Sequence, residues 1–307
     1  MIISASRRTD IPALYSDWML RRLQERFVLV RNPMNSRQIS RVSLEPELVD
    51  GIVFWTKNPE PMLDKLHRMK DYAYCFQFTL NPYGRDIEPK LPRKNALVDA
   101  FKRLSDATCP RNVVWRYDPV LLSARYTVEY HIDRFHELAG ALKGHTLKAT
   151  FSFIDVYKKL AERLRAAGVR EPGVAEKHVV AGHFSKAAQE NGLVLDACAE
   201  GIDLSIYGIA PARCVDDGLI ARITGRDLVV KKDKNQRREC GCVQSVDIGA
   251  YDSCAHGCAY CYANHDDGLV QKRIATHEPL SPLLLGDKNA GDTVTERRVA
   301  GGLHCAE

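Results

Sequence analysis

Short apolar runs alternate with amphipathic segments along the first two thirds of the chain, and this alternation restricts the fold more than any other feature. The run GIVFWT at 51–56 is typical of the strands, and KNALVDAFKRLSDAT at 94–108 repeats apolar residues at helical spacing. About six or seven such strand-then-helix units precede residue 200. Consecutive units of this kind predict a parallel sheet covered by helices.

The number of units favours an α/β fold built as a complete or partial (β/α) barrel, which we predict over residues 1–201. No Gly-x-Gly-x-x-Gly turn follows an early strand, which disfavours a dinucleotide-binding sheet. Beyond Gly201, helical periodicity weakens while cysteines, glycines and charges become frequent. We predict a cysteine-rich extension that binds an iron–sulfur cluster at 202–265, and a C-terminal tail that wraps over the surface at 266–307.

The charge of the chain limits the partners that it could bind. The 307 residues carry a formal net charge of +5, which is small for a nucleic-acid-binding protein, so nucleic acid is not expected as a partner. The most basic stretch, KKDKNQRR at 231–238, is expected to be a solvated surface loop. No apolar run approaches the roughly 18 residues of a membrane span, and the N-terminus has no hydrophobic signal core. We therefore expect a soluble, cytoplasmic protein without a membrane partner.

Charged side chains follow several predicted strands at the point where each strand ends. In a barrel, these strand ends and the loops after them form the active site. A buried charge must be paired or must meet a ligand, so these side chains predict a pocket for a small, polar substrate. The candidate pocket residues are Arg7, Arg8, Asp10, Lys57, Arg116 and Asp118.

Simpler roles remain open for some polar residues of this region. Thr9 or Asp10 could cap a helix that starts near Pro12. Polar residues inside a barrel, such as Gln77 and Thr79, could form a salt-bridged inner layer rather than contact a ligand.

Ten cysteines are distributed unevenly, with eight of them after residue 197. In a reducing cytosol, clustered thiols more often bind metal or carry out redox chemistry than form disulfides. Cys254, Cys258 and Cys261 occur in SCAHGCAYCYANH at 253–265, where Gly257 permits a tight turn. Three thiolates from one loop can hold three irons of a [4Fe-4S] cluster and leave the fourth iron open for catalysis.

A zinc site is the alternative for the same stretch. His265 follows Cys261 by four residues, so Cys254, Cys258, Cys261 and His265 could supply four zinc ligands. The chain would then be a non-catalytic zinc protein, which could bind nucleic acid through the basic stretch at 231–238.

The spacing of the three cysteines, with the aromatic Tyr260 before the last of them, resembles the signature of radical S-adenosylmethionine enzymes. The resemblance implies that the open iron binds the amino and carboxylate groups of S-adenosylmethionine. One-electron cleavage of that cofactor then gives a 5′-deoxyadenosyl radical, which abstracts hydrogen from a substrate. It also implies an electron donor such as flavodoxin or ferredoxin.

The position of the motif departs from the common pattern of those enzymes, in which the cysteines follow the first strand. Here the segment 7–10 occupies that place, and the motif is displaced to the C-terminus. Because the first and last strands of a closed barrel are neighbours, a late loop could still reach the same end of the barrel. The candidate cofactor-binding residues are Tyr260, Glu200 and Gln77.

A wider resemblance covers nearly the whole chain. The segments ISASRRTDIPA, GIVFWTKNP, CGCVQSVDIGAYDSCAHGCAYCYAN and SPLL resemble the bacterial family called domain of unknown function 1848. This family supplies no substrate. The end of the cysteine motif also resembles, locally, spore photoproduct lyases, so a DNA-repair lyase is a third hypothesis; the modest charge counts against it.

Four further cysteines of the same region could complete a second iron–sulfur cluster or a zinc site. They could equally be buried thiols that act as small apolar side chains. These residues are Cys198, Cys214, Cys240 and Cys242.

Overall fold

The structure is a computed structural model that describes residues 1–298, and its strands form two separate sheets. The strands are β1 (Ile2–Ala5), β2 (Phe27–Arg31), β3 (Gln38–Ser43), β4 (Gly51–Thr56), β5 (Tyr74–Thr79), β6 (Val113–Val120), β7 (Lys148–Phe153), β8 (Val194–Ala197), β9 (Ala210–Pro211), β10 (Val246–Asp247) and β11 (Thr293–Glu296). The α-helices are α1 (Ile11–Leu14), α2 (Ser16–Gln24), α3 (Glu60–Leu63), α4 (Lys94–Ala107), α5 (Val128–Ala141), α6 (Lys158–Ala166), α7 (Val174–Glu190), α8 (Asp217–Thr224) and α9 (Asp267–Ile274).

Eight strands form one sheet in the order β10-β1-β4-β5-β6-β7-β8-β9. Every neighbouring pair in this sheet is parallel, which the intervening helices make possible. The predicted α/β fold class is therefore confirmed. In the described part of the chain no strand pairing joins the edge strands β9 and β10, so the structure does not show a closed barrel.

Alternate residues of the central strands point to opposite faces of the sheet. On one face, Phe54, Phe76 and Trp115 are fully buried in the main hydrophobic core, together with apolar side chains from α4, α5 and α7. On the other face, toward the carboxyl ends of the strands, Gln77 and Arg116 are buried despite their polarity. The sheet therefore buries one apolar face against helices and carries polar groups on the other.

The amino-terminal half of the second face is covered by the chain that follows β8. Val53 and Val114 pack there with Val215 and Ile220, from the segment that contains α8. A Cβ atom on Gly51, at the start of β4, would lie 3.0 Å from a methyl carbon of Ile220, so glycine makes room for this helix. Only the carboxyl-terminal half of the face is left to line a cavity.

The second sheet has the order β11-β3-β2 and joins the two ends of the chain. β2 and β3 form an antiparallel pair, and β11 adds to β3 in parallel. Before β11, the carbonyl oxygen of Ser281 accepts a hydrogen bond from Trp18 Nε1 at 2.9 Å, so this part of the predicted tail lies against α2. Residues 299–307 of that tail lie outside the described residues.

The predicted divisions at residues 201 and 265 stay predictions. The strands β9 and β10 fall within 202–265, and both extend the same sheet as β1 to β8. Among residues 1–298, no helix has both the length and the apolar character that crossing a membrane requires.

Candidate active site

A cavity of about 460 Å³ opens at the carboxyl ends of the parallel strands. Its walls come from the ends of β1, β4, β6 and β7, from the chain after β8, and from the loop after β10. All of the charged candidates from the sequence line it, as do Tyr260 and both sets of cysteines. The charged residues in the lining that the sequence predicts are Arg7, Arg8, Asp10, Lys57, Arg116 and Asp118.

The cysteine loop, defined here as residues 253–263, reaches this cavity because β10 lies beside β1. The Asp247 carboxylate at the end of β10 accepts hydrogen bonds from Ser6 Oγ at 2.6 Å and from the Arg7 backbone N–H at 2.9 Å. Two residues later, a Cβ atom on Gly249 would lie 2.1 Å from Ser6 Oγ, a distance that no side chain tolerates. Glycine is therefore required where the chain leaves β10 toward the cysteines.

Asp10 connects three elements around the cavity. Its carboxylate caps α1 by accepting from Ala13 N at 3.0 Å, as one of the alternatives from the sequence predicted. It also accepts from the backbone N–H of Lys57, at the end of β4, at 2.7 Å. The same oxygen lies 2.8 Å from His256 Nε2, inside the cysteine loop. One buried carboxylate thus positions the first helix, a strand end and the cysteine loop together.

The conformation of the loop is set by its own turn and by backbone contacts. Gly257 has φ of +69°, in the left-handed region that favours glycine, as the sequence predicts. The Cys261 N–H donates to Cys258 O at 3.0 Å, and the Ala259 N–H donates to Ile87 O at 2.9 Å. Arg163 Nη2 of α6 donates to Cys261 O at 2.8 Å. These bonds hold the second and third cysteines of the loop against the cavity.

The three thiols of the loop lie near one another in a buried environment. Burial, with the neighbouring thiols of Cys261 and Cys258 and the Asp10 carboxylate, raises the pKa of Cys254 well above its usual value. Burial also raises the pKa of Cys258 to about 12, which Lys57 partly opposes. Thiols in this setting ionise readily only when a metal replaces the proton.

The three thiols of the loop are candidate ligands of a metal or cluster. Among residues 1–298, no three His, Cys, Asp or Glu side chains are grouped as one metal ion would need. Ligands of a four-iron cluster each bind their own iron and need not converge on a single atom. The three cysteines of one loop, all of them in the cavity lining, could supply three such ligands.

His265, the fourth ligand of the zinc hypothesis, is turned toward another partner. Its Nδ1 lies 2.9 Å from a carboxylate oxygen of Asp252, and its backbone N–H donates to the same carboxylate at 2.6 Å. The ring is more than half exposed, and His265 is not part of the cavity lining. The structure therefore does not bring it to the three cysteines.

A buried ionic network stands beside Cys258. Lys57 Nζ donates to Glu88 Oε1 at 3.0 Å and to the Tyr260 hydroxyl at 2.7 Å, while Lys94 pairs with the second oxygen of Glu88. Burial alone would lower the pKa of Lys57, but the Glu88 carboxylate outweighs it and raises that pKa. Burial alone would raise the pKa of Glu88, and the two lysines lower it instead. Both partners therefore stay charged inside the protein.

Arg116 forms a second network in the lining of the cavity. Its Nη1 donates to Cys214 Sγ at 2.7 Å, and its Nη2 pairs with the Asp118 carboxylate. The Trp55 ring lies between two cations, 5.2 Å from the Arg116 guanidinium and 5.1 Å from that of Arg7. Arg7 Nη2 is buried and has no hydrogen-bond partner among the described residues.

The second set of cysteines comes together beside Arg116. Cys198 Sγ lies 3.5 Å from Cys214 Sγ, and both thiols are free. Hydrogen bonds with the thiols of Cys198 and Cys242, together with burial, raise the pKa of Cys214. The side chains of Cys214 and Cys240 in turn lower the pKa of Cys242. The four thiols form a connected group in the same cavity as the loop.

Two predicted cofactor contacts lie outside the cavity lining. Glu200 accepts from the Phe153 N–H at 2.8 Å and lies 3.6 Å from Lys177 Nζ. Gln77 donates to the carbonyl oxygen of Cys214 at 3.0 Å, below the cavity. Both side chains thus have protein partners, and the geometry gives their assignment as cofactor ligands no support.

Three functional candidates were missed by the sequence analysis. Glu88 and Asp247 gave no signal, because each acts through partners far away in the sequence. His256 lies inside the cysteine motif, and only that position could have drawn attention to it.

Comparison with known proteins places the chain in a family. The family model described as Domain of unknown function (DUF1848) matches residues 2–263, from β1 through the end of the cysteine loop. The matched part includes all of the cavity residues named above. No curated protein and no solved structure matches the chain. Since the match covers far more than half of the 307 residues, the chain belongs to the family described as Domain of unknown function (DUF1848).

Proposed function

We propose that this protein is a radical S-adenosylmethionine enzyme that acts on a small polar substrate. One observation carries the proposal: the three cysteines of a single loop line a charged cavity at the carboxyl ends of parallel strands. Enzymes with a parallel sheet of this kind bind their ligands at that end. Cys254, Cys258 and Cys261 would hold a [4Fe-4S] cluster with one iron left free of protein ligands.

When bound, the cluster and S-adenosylmethionine together supply one-electron cleavage of the sulfonium and, through it, hydrogen abstraction from the substrate. The protein holds the cysteine loop in position. Asp247 ties the strand before the loop to β1, and Asp10 holds His256 within it. Because each of these carboxylates has several partners, the thiols are held in one place relative to the cavity.

The network of Lys57, Glu88 and Tyr260 serves to shield the same region from water. Tyr260 precedes the third cysteine, and its hydroxyl accepts from Lys57 Nζ at 2.7 Å and from Asn81 Nδ2 at 3.0 Å. The ring packs edge-on against Tyr83, with centroids 6.0 Å apart. A tyrosine held at both its ring and its hydroxyl excludes solvent from one side of the cysteine loop.

The substrate class follows from the charges of the cavity. Arg8 is partly exposed and lies 5.0 Å from the Tyr251 ring, and the Arg237–Asp155 pair lies at the exposed rim. Arg7, with its unpartnered Nη2, lies deeper. These groups suit a small, polar molecule that carries a negative charge, because a buried cation gains most from a partner of opposite charge.

The proposal also includes a partial barrel, a one-electron donor and a cytoplasmic location. The Val243 N–H donates to Val215 O at 3.1 Å, linking the segments that flank β9 and β10, which supports a partial barrel. Cluster reduction needs a one-electron donor, such as flavodoxin or ferredoxin. Free thiols at nine described cysteines suit a reducing compartment, which supports a cytoplasmic location.

No observation favours the other two hypotheses over this one. The zinc hypothesis needs His265, which pairs with Asp252 instead. The nucleic-acid and DNA-repair hypotheses need an extended basic surface, whereas the one basic stretch, 231–238, already uses Arg237 in a pair with Asp155. Both stay predictions with less support.

The test is anaerobic purification followed by iron and sulfide analysis and an assay for 5′-deoxyadenosine with S-adenosylmethionine and dithionite. We expect about four irons and four sulfides at the loop site. The variant Cys258→Ala is expected to lose these irons and all 5′-deoxyadenosine formation.

The matched control is Cys109→Ala, because Cys109 lies before β6, at the other end of the sheet. It should keep both iron and activity. If Cys258→Ala still formed 5′-deoxyadenosine at the wild-type rate, the assignment would be wrong.

A further inference from the structure

A second group of metal-binding side chains shares the cavity with the cysteine loop. Cys198 follows β8, Cys214 follows β9, and Cys240 and Cys242 precede β10, so three separate segments deliver them. Cys198 Sγ and Cys214 Sγ lie 3.5 Å apart, and Cys242 lies beside Cys214 and Cys240. Four thiols gathered from three segments of a chain that forms no disulfide between them call for a common ligand.

The backbone near these cysteines is shaped to bring them close. Gly241 separates Cys240 from Cys242, and a Cβ atom on it would lie 2.9 Å from the carbonyl oxygen of Ala212. Any side chain at this position would push the segment with Cys240 and Cys242 away from the segment with Cys214. The Val215 N–H also donates to Cys242 Sγ at 3.4 Å, as backbone amides do to metal-bound sulfur.

Positive charge next to the thiols is a second, independent observation. Arg116 Nη1 donates to Cys214 Sγ at 2.7 Å, and Arg7 has a buried Nη2 without a partner in the described part of the chain. A thiol is a weak acceptor, and a buried guanidinium without an anion is costly. Arg116 pairs with Asp118 through Nη2, and its Nη1 is better matched by a metal-bound thiolate than by a neutral thiol, because a thiolate is the stronger acceptor.

We propose that Cys198, Cys214, Cys240 and Cys242 hold a second iron–sulfur cluster, with Arg116 as the cation beside it. All four donors are thiols, a set that iron–sulfur clusters and zinc share, so the test measures both metals. The four thiols line the same cavity as the loop, so this cluster contacts the substrate space directly. The inference does not depend on the proposed function, because the two sets of cysteines are separate.

The experiment uses the full chain, purified and reconstituted without oxygen with iron and sulfide, in three variants. The first, Cys254→Ala/Cys258→Ala/Cys261→Ala, removes the loop ligands; the second, Cys198→Ala/Cys214→Ala, removes half of the second set. Iron, sulfide and zinc are measured in each. We expect the first variant to keep the iron and sulfide of the second cluster, in equal amounts. The second variant should lose this iron and sulfide and keep those bound by the cysteine loop. The third variant, Cys75→Ala, alters a buried cysteine outside both sets and should match the wild type.

The metal analysis distinguishes failure of the second cluster from failure of the loop cluster. Iron that is lost only in the first variant would overturn the second cluster and leave the loop cluster in place. Zinc without iron in the first variant, or no metal at all, would also overturn it.

A measurement on the wild type keeps the test valid if the second variant does not fold. Iodoacetamide labelling followed by peptide mass spectrometry compares the holoprotein with protein stripped of metal by chelator and ferricyanide. We expect Cys240 and Cys242 to be protected several-fold in the holoprotein and labelled after stripping. Equal labelling before and after stripping would contradict the proposal.

Discussion

Lys57 Nζ lies 2.7 Å from the hydroxyl of Tyr260, although the two residues are 203 positions apart in the chain. Lys57 directly follows β4, and Tyr260 belongs to the cysteine loop, so this contact ties the loop to the centre of the sheet. Both groups also contact Glu88. Removing the Tyr260 hydroxyl therefore tests how much the contacts among Lys57, Glu88 and Tyr260 contribute to stability.

The variant Tyr260→Phe removes this hydroxyl and keeps the ring. We expect the free energy of unfolding to fall by about 1–3 kcal/mol, because buried charged partners lose a hydrogen bond. Urea unfolding at pH 7 measures it. Tyr157→Phe, at an exposed residue of the cavity rim, is the control and should change stability by less than about 0.5 kcal/mol. An equal effect of both substitutions would contradict the role given to the network.

Gly249→Ala tests the path of the chain from β10 to the cysteines. The added Cβ atom would lie 2.1 Å from Ser6 Oγ and 2.6 Å from Ser6 Cβ, so the segment must move away from β1. We expect a loss of about 1–3 kcal/mol in unfolding free energy, together with a lower iron content. Gly201→Ala adds the same methyl group where no atom lies within 4 Å, and it should be neutral in both measurements. Normal stability and full iron loading of Gly249→Ala would show that the close approach is not needed.

Asp10→Ala removes the carboxylate that serves α1, Lys57 and His256 at once. The loss of the helix cap alone costs about 1 kcal/mol. Two further buried donors lose their partner, so we expect a total of about 2–4 kcal/mol from thermal or chemical unfolding. Asp99→Ala, on the exposed side of α4, is the comparison and should have little effect. A cost no larger than that of an ordinary helix cap would mean that the contacts to Lys57 and His256 add nothing.

The stability of the fold should depend on pH through His131 of α5. Its Nε2 donates to Leu121 O at 2.7 Å, and its Nδ1 accepts from the Tyr117 hydroxyl at 2.7 Å, so the ring is neutral and both of its nitrogens are hydrogen-bonded. The rings of Tyr83 and Tyr130 pack edge-on against it. Burial lowers the pKa of His131 to about 4 in the folded protein.

Between about pH 6.5 and pH 4 the unfolded chain binds a proton at His131 and the folded protein does not, so stability falls as the pH falls. The full effect is about 3 kcal/mol, at about 1.4 kcal/mol for each pKa unit. We expect His131→Asn to be less stable at pH 7 but to lose this part of the pH dependence in urea unfolding at pH 4.5 and 7. His136→Asn, at an exposed position of the same helix, should keep the wild-type slope. An unchanged slope in His131→Asn would contradict the prediction.

The longer strands were accessible from the sequence because each had its own local pattern. β4 and β5, for example, combine β-branched and aromatic residues between turn signals. The order of the strands and the short strands β9, β10 and β11 were not predicted, and helix limits were less accessible. The segment 59–70 contains α3 followed by a 3-10 turn at Leu66–Met69, and the segment 13–26 is interrupted at Tyr15. Apolar residues at a spacing of three to four satisfy both arrangements, so periodicity could not choose between them.

The candidate site was predictable where charge or sulfur recurred at a strand end, as for Arg116 and the cysteine loop. It was not predictable where a residue acts through a distant partner. Glu88 lies in a loop without periodicity, and its role exists only because Lys57 and Tyr260 fold onto it. Glu200 follows β8 and was a candidate cofactor contact; its partners in the structure are the Phe153 N–H and Lys177, and its role stays a prediction. The contacts of such residues come from segments that are distant in the sequence, and no local sequence pattern predicts them.

The adjacency of β1 and β10 has a consequence for how the protein is made. Ser4 and Asp247, which hydrogen-bond across these strands, stand 243 positions apart, so a ribosome releases one long before the other. The scaffold can begin to assemble during translation, while the thiol-bearing loop emerges only afterwards. The loop with Cys254, Cys258 and Cys261 therefore reaches β1 only after the strands β1 to β9 have been synthesised.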